Sequence, residues 1–242
     1  MRVVDVCRVG FAPVKGMRHL ALDAIHLDER GAVGDRDFCV VEPRAQRVLR
    51  TVQHPSLLAV VAQVYDDGLA LTLPTGECVE GPAAEGGGTI TCDYWGRRVE
   101  LALTDGPHAD LVSRHLGGDV RLARAPRGGV VFGDPVTVVT TASLGEIDGD
   151  AARFRATLVV ETEEPWVEDS WLGREVEVGG ARLRIGGPVP RCAVIDHRPE
   201  TGERDSRLLK DLVRRRPTNT AGEPMFGVYA TVTRPGRVAV TR

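Results

Sequence analysis

Turn-forming residues break this 242-residue chain at short intervals: 28 glycines and 15 prolines are spread along it without a period. Glycine opens conformations closed to other residues, and proline removes a backbone donor, so long helices are interrupted while short strands joined by turns are favoured. Between the breakers lie short apolar runs. Residues 23–29 form a strand around Ala24, Ile25 and Leu27. Residues 58–65 and 69–73 flank Asp66-Asp67-Gly68, and residues 89–94 and 97–103 flank Trp95-Gly96. Residues 175–178 and 181–185 flank Gly179-Gly180, and residues 226–233 and 237–240 flank Pro235-Gly236. Each turn sits between strand-like runs, which predicts hairpins. Many short strands with frequent turns read as barrel or sandwich architecture, so the expected class is mainly β (α+β) with few short helices.

Helix signals are sparse. Asp105 is positioned to cap a helix with Pro107 in its first turn, running to Leu116 and stopping at Gly117-Gly118. Thr141 or Ser143 is positioned to cap a short helix ending near Gly149. Asp205 or Ser206 would cap a helix over 208–216 with Leu208, Leu209, Leu212 and Val213 on its apolar face, halted by Pro217. Residues 124–133, rich in Arg, Gly and Pro, are the linker candidate, dividing the chain into domains 1–125 and 126–242.

Hydrophobic residues make up 42% and charged residues 27%, which excludes a disordered chain and a coiled coil. A net charge of -3 and a pI near 6.1 give no sign of a nucleic-acid or membrane-surface partner. The five cysteines, Cys7, Cys39, Cys78, Cys92 and Cys192, are odd in number and form no C-x-x-C pair. A disulfide scaffold, a structural zinc site and a cysteine-ligated iron–sulfur cluster are disfavoured, and a reducing cytoplasm is expected. The N-terminus has charges and no apolar core of a signal peptide, and the longest apolar stretch, around residues 57–64, is far short of a membrane helix.

Several catalytic motifs are missing. Lys15 follows Val14 and Lys210 follows Leu209, so there is no phosphate-binding Gly-Lys-Ser/Thr loop. No G-x-G-x-x-G follows a strand, and neither G-x-S-x-G nor H-E-x-x-H occurs. His108 and His115, seven apart on one helix face, lack a third ligand in sequence reach and read as structural. The run Arg214-Arg215-Arg216 reads first as a solvated helix end, second as a docking patch for an acidic partner. Of 31 basic residues only Lys15 and Lys210 are lysines, so Lys15 draws notice where an ammonium and a guanidinium are not interchangeable. Cys192 lies between strand signals, and the adjacent Arg191 favours a thiolate able to attack or to bind a soft metal; taken alone, however, it reads first as a buried structural cysteine, since free cysteines are commonly core residues.

Seven segments in order carry a family resemblance: Pro13-Val14-Lys15-Gly16, Gly34-Asp35-Arg36, Thr141-Ala142-Ser143-Leu144, Arg153-Phe154-Arg155, Glu168-Asp169-Ser170-Trp171, Pro190-Arg191-Cys192 and Phe226-Gly227-Val228-Tyr229. Together they resemble the MOSC family, the molybdenum-cofactor-sulfurase C-terminal domain proteins, preceded by their N-terminal β-barrel module. The resemblance implies a MOSC-type β-barrel in the second half and a barrel-like module in the first.

It also implies a pyranopterin molybdenum cofactor. In the amidoxime-reducing and N-hydroxylaminopurine-reducing branch, the Cys192 position is similar to the molybdenum ligand and catalytic residue. Lys15, Gly16, Arg36, Thr141, Ser143, Arg155, Thr157 and Arg191 match the cofactor-binding positions. Fixed cations and helix-start amides suit a phosphate. The pattern departs at Gly16, where serine is usual, at Val52, where arginine is expected, and at Thr157, which stands where Arg-Phe-Arg-Pro-Asn has asparagine.

The implied function is a cytoplasmic oxidoreductase that reduces N-hydroxylated small molecules by oxygen transfer to molybdenum. Its electrons would come from a separate protein, a ferredoxin or flavin reductase. The alternatives are a sulfur carrier using a Cys192 persulfide and a cofactor-free accessory protein of a biosynthetic pathway.

Overall fold

The computed structural model describes residues 2–65, 68–147 and 149–241. Its first half contains β1 (Arg2–Val4), β2 (Val6–Phe11), β3 (Leu20–Leu22), β4 (Ala24–Asp28), β5 (Gly31–Ala32), β6 (Phe38–Glu42) and β7 (Arg47–Val48). These are followed by β8 (Val61–Tyr65), β9 (Gly68–Thr72), β10 (Cys78–Pro82), β11 (Glu85–Tyr94), β12 (Arg97–Thr104), α1 (His108–Leu116) and β13 (Arg121–Arg124). The second half contains β14 (Val136–Thr140), α2 (Thr141–Gly145), α3 (Ala151–Phe154), β15 (Leu158–Val160), β16 (Glu175–Val178) and β17 (Ala181–Pro190). It ends with α4 (Leu208–Arg215), β18 (Met225–Arg234) and β19 (Gly236–Ala239). The fold is mainly β, with short helices.

The largest sheet has eight strands in the order β1-β16-β17-β18-β14-β15-β2-β3. Strands from the two ends of the chain therefore share one sheet: β1 runs parallel to β16, and β2 pairs antiparallel with β15. A closed barrel forms from β11-β12-β13-β6-β7, and β8, β9 and β10 make a small antiparallel sheet. The barrel interior holds Cys39, Cys92, Tyr94 and Leu101, while Val9, Leu27, Leu158, Leu183 and Val228 fill the large sheet's core. Each such fully buried aliphatic side chain contributes roughly 1.5–3 kcal/mol.

Three predicted hairpins form: Tyr65 pairs with Gly68, Tyr94 with Arg97, and Val178 with Ala181. Asp66 and Asp67 lie outside the described residues. Residues 55–59 are a 3-10 helix rather than the start of β8, because Pro55 presets a helical turn that buries Leu57 and Leu58. Pro235-Gly236 does not close a hairpin. There β19 leaves the large sheet and pairs with β4 instead, Gly236 opposite Leu27.

The predicted caps also shift. Pro107, not Asp105, is the N-cap of α1, and Gly117 ends it in the left-handed conformation (φ 67°). Thr140 caps α2 by accepting the Ser143 amide, so neither Thr141 nor Ser143 is the cap. Helix α4 begins after Arg207, and the carboxylate of Asp196 takes the Leu209 amide at 2.9 Å, a cap from another segment. Its apolar face is narrower than the sequence pattern, with Leu208 and Leu212 buried and Val213 exposed. Among the described residues no helix is long and apolar enough to cross a membrane.

Candidate functional site

Backbone pairing brings the first two motifs together. Lys15 donates its amide to Phe38, Phe38 to Pro13, and Arg36 to Ala12. Asp35 is buried; it accepts the Ala12 amide at 2.8 Å and pairs with the neighbouring Arg36 guanidinium. Gly16 turns the chain directly after Lys15 at φ +91°, a value that strains any side-chain-bearing residue.

The second half supplies the opposite wall. Helix α3 starts at Asp150, whose carboxylate accepts the Ala152 amide, and ends on Arg155 in the left-handed conformation (φ 52°). Arg155 donates Nη1 to the Met17 carbonyl at 2.7 Å, tying α3 to the N-terminal segment. Arg191 is buried where β17 ends, held by Nε on the Phe226 carbonyl at 2.8 Å and Nη1 on the Phe154 carbonyl at 2.9 Å. Gly227, at φ +70°, leaves the space: a Cβ there would stand 3.1 Å from Arg191 Nη2.

Between these walls is a cleft of about 200 Å³. Lys15, Arg36, Arg155, Thr157, Arg191 and Cys192 all line it. Gly16, next to Lys15 in the chain, does not, though a Cβ there would stand 3.2 Å from Oγ1 of Thr51, which does. Thr141 and Ser143 are also elsewhere: Ser143 is fully buried, its hydroxyl bonded to Glu168 Oε2 at 2.9 Å and to the Trp166 amide at 2.7 Å, and Thr141 bonds the Thr162 backbone. At five residues α2 is too short to offer an anion site, and its first turn is occupied by this network.

The floor is electropositive and under-satisfied. Arg155 Nη2 and Arg191 Nη2 are buried without a hydrogen-bond partner among the described residues. Burial first, then the like charges of Arg36 and Arg155, pushes the Lys15 ammonium down to about 7. Burial lowers Arg155 to about 9, reinforced by Arg36, and lowers Arg191 to about 10. Desolvation disfavours these cations, and an anion between them would reverse that cost. Of the five non-glycine residues with positive φ among the described residues, Arg36, Trp95 and Arg155 line this one cleft. Such conformations cost on the order of 1–3 kcal/mol each and gather at functional sites.

Cys192 is partly accessible in this cleft, whereas Cys39 and Cys92 are sealed inside the barrel and Cys7 and Cys78 are on the surface. All five thiols are free. Thr157 is buried, trading backbone-to-hydroxyl bonds with Thr137 at 3.1 and 3.2 Å. Among the described residues no group of three or more His, Cys, Asp and Glu could hold a metal ion. A metal here would therefore need donors besides protein side chains. His108 and His115 bond backbone carbonyls of Leu69 and Ser56. Arg216, from the basic run, bonds Asp169 at 2.5 Å and stacks 4.4 Å from the Trp166 ring, so it is a packed side chain rather than a free charge.

Sequence reasoning passed over Arg50, Thr51, Trp95, Phe132, Asp134 and Thr137, which also line the cleft. Trp95 alone carried a signal, a bulky ring in a two-residue turn where Asn or Gly is usual.

The family model of the MOSC domain matches residues 114–241, and that of the MOSC N-terminal beta barrel domain matches residues 3–118. The molybdenum cofactor sulfurase of Anopheles gambiae is 34% identical over 91 residues, 38% of this chain and 11% of that protein. That of Danio rerio is 34% identical over 77 residues, 32% of this chain and 8% of that protein. The match thus spans about a tenth of these relatives' length. The YUAD protein of Bacillus subtilis aligns over 98% of this chain and 91% of its own at 11% identity, with a TM-score of 0.43. A Bordetella bronchiseptica protein solved in solution aligns over 45% of this chain and 92% of its own at 17% identity, with a TM-score of 0.33.

Proposed function

The chain belongs to the MOSC domain family, its first half matching the family's N-terminal beta barrel domain, and on that premise we propose that it holds a pyranopterin molybdenum cofactor in the cleft and reduces N-hydroxylated small molecules. The observation that carries this reading is the juxtaposition of one partly accessible thiol, Cys192, with buried guanidinium donors that lack partners at Arg155 and Arg191. Arg155 and Arg191 would take a pterin phosphate as the missing anion, and a bound cofactor would bring the metal donors that the protein does not.

Lys15, Arg36, Arg155 and Arg191 would hold the anionic tail by charge-assisted hydrogen bonds, each contributing about 1.5–3 kcal/mol. Cys192 would ligate the metal through sulfur, a soft donor suited to a site of soft ligands. When bound, the cofactor supplies a two-electron centre able to accept an oxygen atom. The overall conversion takes R–NHOH, two electrons and two protons to R–NH2 and water. Phe154, Val189 and Ile195 give the cleft apolar wall, which keeps water from competing for the N–O group. The chain has no clustered cysteines and no dinucleotide fingerprint. On this reading a ferredoxin or flavin reductase would deliver the electrons.

A second reading is favoured by the relatives, which are named molybdenum cofactor sulfurases: Cys192 carries a persulfide, and the cationic floor stabilises its anionic sulfur. One experiment separates the two. The protein is made in a host that synthesises the cofactor, then assayed for molybdenum, pterin, cyanide-releasable sulfur and reduction of an N-hydroxylated compound by a chemical reductant. Near-stoichiometric molybdenum and pterin with turnover support the reductase. Releasable sulfur without molybdenum supports the carrier, and a folded chain with neither supports an accessory protein.

A further inference from the structure

Lys15 is anchored by its backbone, but its ammonium is left without a partner. The amide is fixed on the Phe38 carbonyl at 2.7 Å, and Gly16 turns the chain directly after it. The side chain is reached from the cleft, yet it forms no ion pair and no hydrogen bond among the described residues. Its neighbour is an aromatic face: Nζ stands 5.5 Å from the centroid of the buried Tyr94 ring.

The groups that face Lys15 favour the uncharged amine. Burial, then the like charges of Arg36 and Arg155, brings its pKa down to about 7, against the opposing pull of Asp35 and Cys192. Asp35 is already committed: it pairs with Arg36 and accepts the Ala12 amide at 2.8 Å. The Cys39 thiol, sealed in the barrel, is pushed far up by burial and offers no negative charge. At neutral pH much of Lys15 is therefore a free amine, which an ordinary lysine with a pKa of about 10.4 is not. A desolvated lysine beside other cations is an activated nucleophile.

Next to this amine is a donor that lacks an anion. Arg155 gives Nη1 to the Met17 carbonyl, while its Nη2 is buried with no partner among the described residues. An amine turned into an anion at this place would satisfy both groups. The cleft, about 200 Å³, admits a small electrophile.

We propose that Lys15 is a carbon dioxide acceptor, and that the carbamate it forms in the empty cleft is held by Arg155 Nη2. The Nζ lone pair makes an N–C bond to the carbon of CO2, one C–O π pair moves onto oxygen, and one proton leaves Nζ for water. The products are a carbamate anion and a proton, and no electron changes hands. The residue thereby passes from cation to anion. The empty cleft fills its own anion site, and an incoming phosphate is repelled until CO2 is lost. That competition rests on the cofactor reading; the carbamate itself does not.

The test uses full-length, cofactor-free protein carrying lysine labelled with heavy nitrogen at Nζ, equilibrated with heavy-carbon CO2 at about pH 7.5, where a pKa of about 7 leaves most of the amine neutral. Magnetic resonance then reads nitrogen–carbon coupling, which requires an N–C bond. The chain has only two lysines, so in Lys210→Arg, a change on exposed α4, a coupled lysine signal reports Lys15 alone. A coupled carbamate signal should appear in the parent and in Lys210→Arg and vanish in Lys15→Arg. At constant CO2 pressure it should grow as pH rises through 7, with the neutral amine. Arg155→Ala should lower it about tenfold or more, because a charge-assisted contact is lost and a like charge no longer holds the Lys15 pKa down. No coupled signal in Lys210→Arg, bicarbonate bound without coupling, or a signal unchanged in Arg155→Ala overturns the assignment. The first two outcomes involve no altered cleft residue, so a misfolded variant does not obscure them. Metal analysis tests the cofactor reading separately: a carbamate on protein that takes up no molybdenum in a cofactor-producing host supports the carbamate and removes the reductase.

Discussion

The guanidinium of Arg155 donates Nη1 to the carbonyl of Met17 at 2.7 Å, across 138 residues of sequence. One end of the side chain thereby fastens the two walls of the cleft together. The other end, Nη2, is buried with no partner among the described residues. Removal should therefore act in opposite ways on the empty and loaded protein. Arg155→Ala loses one hydrogen bond but also relieves a buried cation facing Lys15 and Arg36. The empty protein should change in stability by no more than about 1 kcal/mol. Cofactor occupancy should fall at least about tenfold, as expected for a lost charge-assisted contact of about 1.5–3 kcal/mol. Urea unfolding of cofactor-free protein and metal analysis of protein from a cofactor-producing host check the two halves. A large loss of empty-state stability with full occupancy would make Arg155 a fastener only.

Lys15 gives the cleft a pH response. Its folded-state pKa is about 7, lowered first by burial and then by Arg36 and Arg155, against about 10.4 in an unfolded chain. Between these values the unfolded state binds the extra proton, so stability rises with pH, by up to about 1.4 kcal/mol per unit. The burden is fully present below the folded pKa. Arg155, lowered to about 9, adds to the slope only above that pH. Subtracting the profile of Lys15→Met should leave a rise that begins near pH 7 in the cofactor-free protein. Anion binding should show the reverse, weakening as pH rises through 7, because neutral Lys15 no longer attracts it. Lys15→Arg should lower cofactor occupancy, since a planar guanidinium does not fit an ammonium's place, whereas Lys210→Arg on the exposed face of α4 should not. A flat difference profile, with parental occupancy in Lys15→Arg, would put Lys15 outside the site.

What the sequence made legible was local. Trp95-Gly96 and Gly179-Gly180 announce their hairpins because both strands of each are adjacent in sequence. Pairings set by distant partners left no such mark. Nothing around Arg2–Val4 signals that β1 will lie beside β16, and Pro235-Gly236 has turn chemistry but serves a crossing to β4. The caps show the same limit: Asp196, thirteen residues before Leu209, takes an amide that the local pattern assigns to Asp205 or Ser206. In the site, ordered motifs marked Lys15, Arg36, Arg155, Arg191 and Cys192, which the fold gathers around one cleft. Ser143 belongs to the same set of motifs yet faces a buried carboxyl, because a helix start seen in sequence has no direction until the sheet beneath it is known.

That buried carboxyl makes its own prediction. Glu168 Oε2 lies 2.9 Å from Ser143 Oγ and 3.0 Å from Thr140 Oγ1. Burial nevertheless raises its pKa above the usual range. The folded state then holds the proton to a higher pH than the unfolded one, so stability should fall as pH rises from about 4.3 toward the folded value. Glu168→Gln should abolish that slope. Ser143→Ala should cost about 1–3 kcal/mol in urea unfolding, because it strips a partner from both the carboxyl and the Trp166 amide. A neutral Ser143→Ala would mean that the hydroxyl has a role outside this network.

Cys192 is set apart from the other thiols by place rather than by neighbours in sequence. Burial inside the barrel pushes the Cys39 thiol far up, and burial raises Cys92 as well, so neither should react with iodoacetamide in the folded protein. Cys7 and Cys78 should react whether or not the cleft is occupied, since both are exposed away from it. Cys192 should react only when the cleft is empty. Mass spectrometry of alkylated peptides, taken across preparations of graded molybdenum content, should show Cys192 labelling fall in step with occupancy while Cys7 and Cys78 stay constant. Cys192→Ser should lose molybdenum and N-hydroxyl reduction together, because a hydroxyl is a harder donor than a thiolate. Its unfolding midpoint should stay near the parent's, as the exchanged atoms are close in size. Were Cys192 to label fully at full molybdenum content, sulfur ligation would be excluded. A cyanide-sensitive block to labelling in metal-free protein would place a persulfide on that sulfur instead.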